Sequence, residues 1–236
     1  MRMLPLAVMT PGRMPYDEAL KLQEHLRGLL GQGLPDTLIL LEHPHVITIG
    51  RRGTRKNILV SEDILESQEI SVFEITRGGD VTYHGPGQLV GYCVFDLKRH
   101  EGDIRQLVGN IQEVVIRFLA ERGITAERRN REHTGVWVGN EKIAAIGISV
   151  NEMKTMHGFS LNIDVNLDYF QYINPCGVPG AGVISLHTLT KKHEDFNKAT
   201  VRIADLFCEV FSMSRIDIRK TDIQTILNSK GAFTHV

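Results

Sequence analysis

Apolar residues recur at helical spacing in three stretches of the chain, and each stretch predicts an amphipathic helix. The first covers residues 15–30, and the second covers about 103–122, with Asp103 as its N-cap and Gly123 after its last turn. The third covers roughly residues 198–211. Its apolar face is expected to bury Val201, Ile203, Leu206, Phe207, Val210 and Phe211.

Short apolar runs bounded by turn residues predict β-strands between these helices. They cover residues 1–10, 37–50 with a break at His43-Pro44, 71–76, 88–97, 135–150 as a hairpin turning at Gly139-Asn140, and 155–163. Because the strands follow one another in hairpins, a mixed β-sheet flanked by helices, of the α/β (α+β) class, is favoured over a doubly wound sheet. No repeat or long linker interrupts the chain, so one domain over residues 1–236 is expected.

Charge and cysteine content narrow the class of protein. A net charge of -1 argues against charge-driven binding to nucleic acid or to a membrane. No apolar run approaches the ~18 residues of a membrane span, and Pro5 interrupts the apolar N-terminus, which favours a first strand over a signal peptide. The widely spaced cysteines form no CxxC pair, as is typical of a reducing compartment. A cytoplasmic location is therefore expected.

Cys176 is the first candidate for chemistry. It lies in the segment INPCGVPGAG, whose prolines and glycines exclude a helix or a central strand. Loops held by a rigid scaffold commonly present reactive groups, so Cys176 is a candidate nucleophile. The alternative is a small apolar side chain that fills a loop pocket. Cys93 and Cys208 lie in apolar runs and are expected in the core.

A cysteine nucleophile needs a nearby base or cation, because a free thiol is only slightly ionised at neutral pH. Lys142 opens the apolar strand KIAAIGI, where a buried ammonium group would be costly without a partner. Burial would lower its pKa and let it act as a base. The alternative is a lysine that ends the hairpin turn and points to water.

A glycine-dense segment covers residues 77–88. Adjacent glycines permit a close approach of the backbone to a ligand, but the spacing matches neither common nucleotide-binding motif. A tight connection between two strands is the alternative. His84 is expected either to orient a substrate carbonyl or to be satisfied by the loop backbone. His43 and His45 have no further ligand-type residue close in sequence, so no metal site is expected.

Two basic segments, residues 51–56 and 127–132, are candidates for docking an acidic partner protein. Solvated surface loops are the alternative.

Four segments, taken in order, resemble the successive motifs of the lipoyl(octanoyl) transferase family. They are RGGDVTYHGPGQLVGY, GVWVGNEKIAAIGI, HGFSLNI and INPCG. The earlier LEHPHVITIGRRG is similar to the first strand pair and loop of that family. The resemblance extends from about residue 38 to 190 and implies the fold shared by biotin and lipoate protein ligases. Beyond about residue 190 no motif is recognised.

The resemblance also implies an activity in lipoate biosynthesis and protein lipoylation. An octanoyl group would pass from octanoyl-acyl carrier protein through a thioester on Cys176, with Lys142 as its partner. The acceptor would be a lysine on the lipoyl domains of 2-oxoacid dehydrogenases or on the glycine cleavage H protein. No cofactor and no metal are implied. The implied substrate-binding residues are Arg77, Gly78, Gly79, Asp80, Val81, Thr82, Tyr83, His84, Ala145, Ile146, Gly147, Gly158, Phe159 and Ser160.

Two other functions remain open. One is an ATP-dependent lipoate–protein ligase on the same fold, which would not need the cysteine of NPCG. The other is a non-catalytic acyl-binding module. Neither the acyl chain length nor the oligomeric state follows from the sequence.

Overall fold

A central mixed β-sheet organises the chain. The computed structural model describes residues 3–129, 133–174, 182–219 and 221–222. Within these ranges nine strands form one sheet in the order β12-β1-β2-β6-β10-β9-β8-β7, with β11 beside β9. Its strands are β1 (Leu4–Arg13), β2 (Asp36–Glu42), β6 (Gln88–Val94), β7 (Glu127–Arg129), β8 (Gly135–Val138), β9 (Glu141–Asn151), β10 (Lys154–Asn162), β11 (Gly182–Val183) and β12 (Met213–Ile218).

Both strand directions occur in this sheet. β1 runs parallel to β2 and to β12, and β11 runs parallel to β9. The pairs β2-β6, β6-β10, β10-β9, β9-β8 and β8-β7 are antiparallel. The expected mixed sheet is confirmed, and so is the hairpin at Gly139-Asn140 that joins β8 to β9.

A second sheet of three strands lies in the order β4-β3-β5. Its strands are β3 (Val46–Ile49), β4 (Ser71–Glu74) and β5 (Val81–His84). β5 corrects the prediction that the glycine-dense segment is a loop throughout. Val81, Thr82 and Tyr83 are β-branched or aromatic, and β3 supplies an antiparallel partner for them.

Helices cover both faces of the large sheet. They are α1 (Tyr16–Leu29), α2 (Glu62–Ser67), α3 (Ile104–Ala120), α4 (Leu186–Thr190) and α5 (Phe196–Phe211), with 3-10 turns at Arg55–Asn57, Leu97–His100 and Leu167–Tyr172. α3 and α5 pack on one face, whereas α1 packs on the other. The predicted N-cap is confirmed, because the Asp103 carboxylate accepts a hydrogen bond from the Arg105 amide at 2.7 Å.

One part of the predicted burial on α5 is wrong. Ile203, Leu206 and Phe207 are buried, but Val201 is 48% exposed. The buried apolar stripe of α5 is therefore narrower than its sequence pattern predicts. Cys93 is buried in the core and Cys208 packs partly buried against it, as expected. Burial raises the pKa of both thiols.

The pairing of β1 with β12 joins the two ends of the described chain. Residues 4–9 run beside residues 213–218, so the region without a recognised motif completes the sheet edge. On its other side β1 pairs with β2, where the register shifts between Met9 and Gly12. Pro11 lies in this irregularity, where it has no ladder amide to lose. No helix within the described residues is long and apolar enough to cross a membrane.

Candidate active site

A groove of about 470 Å³ lies on one face of the large sheet, under the glycine-dense segment. Strands β9 and β10 form its floor, and residues 77–82 cover it from the side of the small sheet. Arg51 and Arg52 lie at its rim. The larger side chains that line it are Tyr16, Val90, Tyr92, Ile104, Val108, Trp137, Ile146, Ile148, His157, Phe159 and Phe170.

The floor of the groove is made of small residues that face one another across β9 and β10. Gly147 pairs with Gly158, and Ala145 pairs with Ser160. A Cβ atom on Gly147 would lie 2.7 Å from the Gly78 carbonyl oxygen and from Cγ of Arg77. A Cβ atom on Gly158 would lie 2.2 Å from the Gly91 carbonyl oxygen. Residues 77–78 can therefore lie this close to β9, and β6 this close to β10, only because these side chains are absent.

Arg77 holds in place the segment that covers the groove, residues 77–82, which we call the roof. Its guanidinium group donates to the carbonyl oxygens of Gly78 at 2.8 Å and Asp80 at 2.7 Å, and to the backbone and side-chain oxygens of Thr48 at 3.2 Å. The Gly78 amide donates to the Ile148 carbonyl at 3.3 Å, which ties the roof to β9. Arg77 was predicted to bind substrate, and in the structure its charged group binds the roof itself.

The basic segment that begins at Arg51 is attached to this roof. The Arg51 amide donates to the Arg77 carbonyl, and the Arg52 amide donates to the Gly79 carbonyl, each at 3.0 Å. Both side chains are exposed. None of residues 127–129 of the other basic segment, on β7, lines the groove, and its residues 130–132 are outside the described residues.

Lys142 lies at one end of the groove, half-buried at the start of β9. Its ammonium nitrogen is 5.0 Å from the centre of the Trp137 ring, a cation–π contact. β11 pairs beside it, since Val183 is opposite Lys142 and the Ile184 amide donates to the Lys142 carbonyl at 3.1 Å. Cys176, the predicted nucleophile, lies outside the described residues.

A polar network fixes the protonation of His84 near this end. Gln88 donates from its amide nitrogen to Asn162 Oδ1 at 2.9 Å, and Asn162 donates to the Ile184 carbonyl at 3.0 Å. Gln88 Oε1 must therefore accept from His84 Nδ1, at 2.7 Å. Burial, together with His43 nearby, lowers the pKa of His84 to about 3, so the ring is neutral. Its Nε2 atom is consequently a hydrogen-bond acceptor.

This tautomer changes the expectation for His84. An accepting nitrogen cannot donate to a substrate carbonyl, and the ring is satisfied by a side chain, Gln88, instead of by the loop backbone. Its Nε2 lone pair can accept a hydrogen bond from an amine or a thiol in the groove.

A second polar group lies beside this network, since the ring centres of His43 and His84 are 6.0 Å apart. His43 Nδ1 donates to the Met14 carbonyl at 2.7 Å, which leaves Nε2 to accept from the Tyr92 hydroxyl at 2.6 Å. Burial lowers the pKa of His43 to about 4 and raises the pKa values of Tyr92 and Tyr16. His157 lies edge-on to Tyr92, with 6.4 Å between ring centres. These groups are neutral at physiological pH.

Besides Lys142, thirteen of the fourteen residues predicted to bind substrate line this groove. Those that line it are Arg77, Gly78, Gly79, Asp80, Val81, Thr82, His84, Ala145, Ile146, Gly147, Gly158, Phe159 and Ser160. Tyr83 does not line it. Its ring packs in the core of the small sheet, and its hydroxyl group bonds His45 Nδ1 at 2.7 Å.

Sequence reasoning missed Tyr92, His157 and Asn162, which also line the groove. All three lie inside quoted motifs: Tyr92 ends RGGDVTYHGPGQLVGY, His157 begins HGFSLNI, and Asn162 is the last residue but one of HGFSLNI. Tyr92 reaches the groove only because it pairs with Gly158 across β6 and β10. No local pattern could have indicated that pairing.

One group of described residues has the donor types of a metal site. Atoms of Asp164, His187 and His193 lie within 4.8 Å of one another. His193 Nδ1 bonds Asp164 Oδ2 at 2.6 Å, and both residues are exposed. None of the three lines the groove. The hydrogen bond between them accounts for their proximity.

Known proteins that are similar to this chain in sequence all point to the same family. The family model described as "Lipoyl protein ligase A/B catalytic domain" matches residues 15–208. A protein of Caldicellulosiruptor bescii named "Octanoyltransferase" is 49% identical over 205 residues, covering 86% of this chain and 90% of its own. A protein of Caldicellulosiruptor saccharolyticus with the same name is 48% identical, covering 91% and 92%.

Solved structures agree in fold. Lipoate-protein ligase A bound with ATP superposes with a TM-score of 0.73 at 16% identity, covering 98% of this chain and 96% of that one. Biotin protein ligase from Aquifex aeolicus in complex with biotin and ATP gives a TM-score of 0.52 at 13% identity, covering 88% and 70%. At these identities the likeness concerns the fold alone, and it confirms the expected mixed sheet of the biotin and lipoate ligases.

The neutral histidines predict how stability depends on pH. The pKa values of His84 and His157 are lowered to about 3 and that of His43 to about 4, from 6.5. Below pH 6.5 the unfolded chain binds protons that the folded chain does not, so the free energy of unfolding should fall as the pH drops towards 4. Each histidine contributes up to about 1.4 kcal/mol per pH unit. Urea denaturation between pH 7 and 4.5 measures this slope.

Replacing one buried histidine should reduce that slope. His157→Asn removes one of the three groups, whereas His193→Asn, at an exposed position, serves as the matched control. A slope that is the same in wild type, His157→Asn and His193→Asn would contradict the assignment of a neutral, buried His157.

Proposed function

This chain belongs to the lipoyl protein ligase A/B catalytic domain family, and from this premise we propose that it is an octanoyltransferase of lipoate biosynthesis. It takes the octanoyl group of octanoyl-acyl carrier protein onto Cys176 and transfers it to a lysine of a lipoyl domain, in 2-oxoacid dehydrogenases or the glycine cleavage H protein. The observation that carries the proposal is an acyl-sized groove with Lys142 at its end, in a chain 49% identical to a protein named octanoyltransferase.

The groove suits an extended aliphatic chain. Its middle section is lined by Val90, Ala145, Gly147 and Gly158, which present little polar surface. Between Gln88 and Tyr92, strand β6 rises by about 13 Å, and this length runs along the groove. The chain would lie on the glycine floor, covered by the roof that Arg77 holds. Apolar burial of the acyl group supplies the binding free energy, at about 0.8 kcal/mol per methylene.

Two described attachments flank the sequence segment that contains Cys176. Before it, the Asn174 amide donates to the Asn57 carbonyl at 2.8 Å. After it, Gly182 and Val183 pair with Glu141 and Lys142. Because the sequence that leaves Cys176 returns to the sheet beside Lys142, pairing of the two side chains is compatible with the topology. This supports the roles proposed for both residues.

The reaction proceeds in two steps of acyl transfer. Lys142 takes the proton of the Cys176 thiol, and the thiolate attacks the carbonyl carbon of the carrier thioester. The bond to the carrier sulfur breaks, and that sulfur receives the proton from Lys142. In the second step the acceptor lysine amine attacks the Cys176 thioester and gives its excess proton to Lys142. The amide forms, and Cys176 leaves as a thiolate that is reprotonated.

His84 has a positioning role in the second step. Its Nε2 atom accepts a hydrogen bond from the attacking amine, which turns the nitrogen lone pair towards the thioester carbon. The Gln88 and Asn162 network holds the ring in the tautomer that makes this possible.

An ATP-dependent ligase is the principal alternative on this fold. The donor thioester is already activated, so the transfer to an amide is downhill and needs no nucleotide. The relatives at 48–49% identity are named for the transferase activity, whereas the ligase structures share only 16% identity or less with this chain. A non-catalytic acyl-binding module would leave no acyl group on Cys176 and none on a lipoyl domain.

The formation of the thioester is the direct test of this function. Incubation with octanoyl-acyl carrier protein should add one octanoyl group to Cys176, detected by intact mass and peptide mapping. Addition of apo lipoyl domain should then move the group to that domain without ATP. Cys176→Ser should abolish the transfer, while Cys208→Ser should retain it as a matched control. Transfer only from free octanoate with ATP and Mg²⁺ would identify a ligase.

Replacement of Lys142 separates a base from a simple cation. Arginine keeps the charge but stays protonated at physiological pH, so Lys142→Arg and Lys142→Ala should both lower kcat/KM for acyl transfer, by roughly 10²–10⁴-fold. Lys98→Ala, at an exposed lysine, should have little effect. Circular dichroism should show that the variants fold. If Lys142→Arg retained most of the activity, Lys142 would act by electrostatic attraction instead.

The carrier protein is expected to dock on the basic rim. Acyl carrier proteins are acidic, and Arg51 and Arg52 are exposed beside the groove. Hydrogen bonds from their backbone amides to the roof fix them there. Arg52→Glu should raise the KM for octanoyl-acyl carrier protein severalfold at low salt, with a smaller effect at high salt. Lys98→Glu, which makes the same charge change at an exposed residue that does not line the groove, is the matched control. Equal losses with a small octanoyl thioester would contradict docking.

A further inference from the structure

His157 is buried in the wall of the groove with its hydrogen-bonding capacity unused. The residue is 1% exposed, and neither ring nitrogen has a hydrogen-bond partner among the described residues. Burial and the charges of Arg77 and Arg27 lower its pKa to about 3, so the ring is neutral, with one donor and one acceptor nitrogen. Buried polar groups without a partner are rare in proteins, and each calls for a ligand or water.

The backbone of His157 is held in a conformation that turns the ring into the groove. Its φ of 62° lies in the left-handed region, which a β-strand residue other than glycine seldom adopts. In a regular strand His157 and Gly158 would face opposite sides of the sheet, yet both line the groove. The His157 amide donates to Gln23 Oε1 at 2.8 Å, and Gln23 is itself tied to Ala19 on α1. Such strain concentrates at functional positions.

The position of His157 is the end of the groove opposite Lys142. His157 pairs with Ile148 of β9. Ile148 is six residues beyond Lys142 on the same strand, which corresponds to about 20 Å along β9. An acyl chain that enters at Lys142 therefore passes the small residues of the floor first. At the far end it meets Tyr92, whose hydroxyl proton is committed to His43 and cannot serve His157 as a donor.

We propose that His157 sets the upper limit of acyl chain length in this groove. The inference rests on the proposed acyl transfer and names what would select the octanoyl group. Both ring nitrogens are buried within the protein itself, so the ring closes this end of the groove as a polar wall. A methylene gains about fourfold in affinity only where it is buried against apolar groups, and a chain that reaches His157 meets two nitrogens that it cannot satisfy. A chain end that pairs with the imidazole should therefore be favoured roughly tenfold over an apolar one.

The wild type can be tested without mutation. Decanoyl and 9-hydroxynonanoyl groups have the same length, but the second ends in a hydroxyl that can donate to and accept from an imidazole. Carried on acyl carrier protein, the hydroxylated chain should be transferred to apo lipoyl domain with a kcat/KM roughly tenfold higher than decanoyl. A preference for decanoyl, as an entirely apolar wall would give, would overturn the proposal.

Two variants then assign the effect to His157. His157→Gly tolerates the positive φ and removes the ring, so the decanoyl-to-octanoyl ratio of kcat/KM should rise about tenfold and the preference for the hydroxyl should vanish. His157→Asn also tolerates that backbone and keeps a polar side chain, so it should still prefer octanoyl. Unchanged ratios in a folded His157→Gly, or equal relaxation in both variants, would overturn the proposal. A wild type that transfers no acyl chain would instead refute the proposed function on which the inference rests.

Discussion

The absence of side chains at three neighbouring sheet positions is the constraint on which the site depends. Gly91, Gly147 and Gly158 lie on adjacent strands, and a Cβ atom on any of them would collide with backbone or with a packed side chain. Gly91 makes room for the Phe159 ring, which belongs to the core on the opposite face. Gly147 lets Arg77 and Gly78 approach β9 closely, and Gly158 lets the Gly91 carbonyl of β6 approach β10. One set of glycines therefore sets both the packing within the sheet and the closeness of the segment that covers it.

Polar groups around this opening are kept neutral, and each has a defined hydrogen-bonding direction. Carbonyl and amide oxygens that only accept force the tautomers of His43 and His84. Desolvation then keeps these rings uncharged, so no buried ion needs a counter-ion inside an apolar groove. The formal charges of Arg51, Arg52 and Lys142 lie at the rim and one end of the groove, and that of Arg77 is held by oxygen atoms of the covering segment and of Thr48. An apolar chain and charged protein partners can thus be accommodated by one surface without competing for it.

The sequence predicted most of the elements and the neighbourhood of the site, because both depend on local patterns. Apolar periodicity located α1, α3 and α5, and the glycine-dense segment with Lys142 indicated the groove. The features that escaped prediction depend on long-range register or on backbone angles. Tyr92 joins the site through its pairing with Gly158, and His157 joins through a positive φ that α1 stabilises. The roles of Cys176 and Lys142, and the single domain over residues 1–236, stay predictions.

The parallel pairing of β1 with β12 has a consequence for biosynthesis. About two hundred residues of sequence separate these two strands. Contacts between residues so far apart in sequence carry a large loop-closure cost, so this pairing is expected late in folding. While the chain is being synthesised, β1 can pair with β2 but its other edge stays open until residues 213–218 have left the ribosome. An open strand edge is a template for association with other chains. Co-translational folding therefore leaves one edge of β1 unprotected until residues 213–218 have emerged and paired with it.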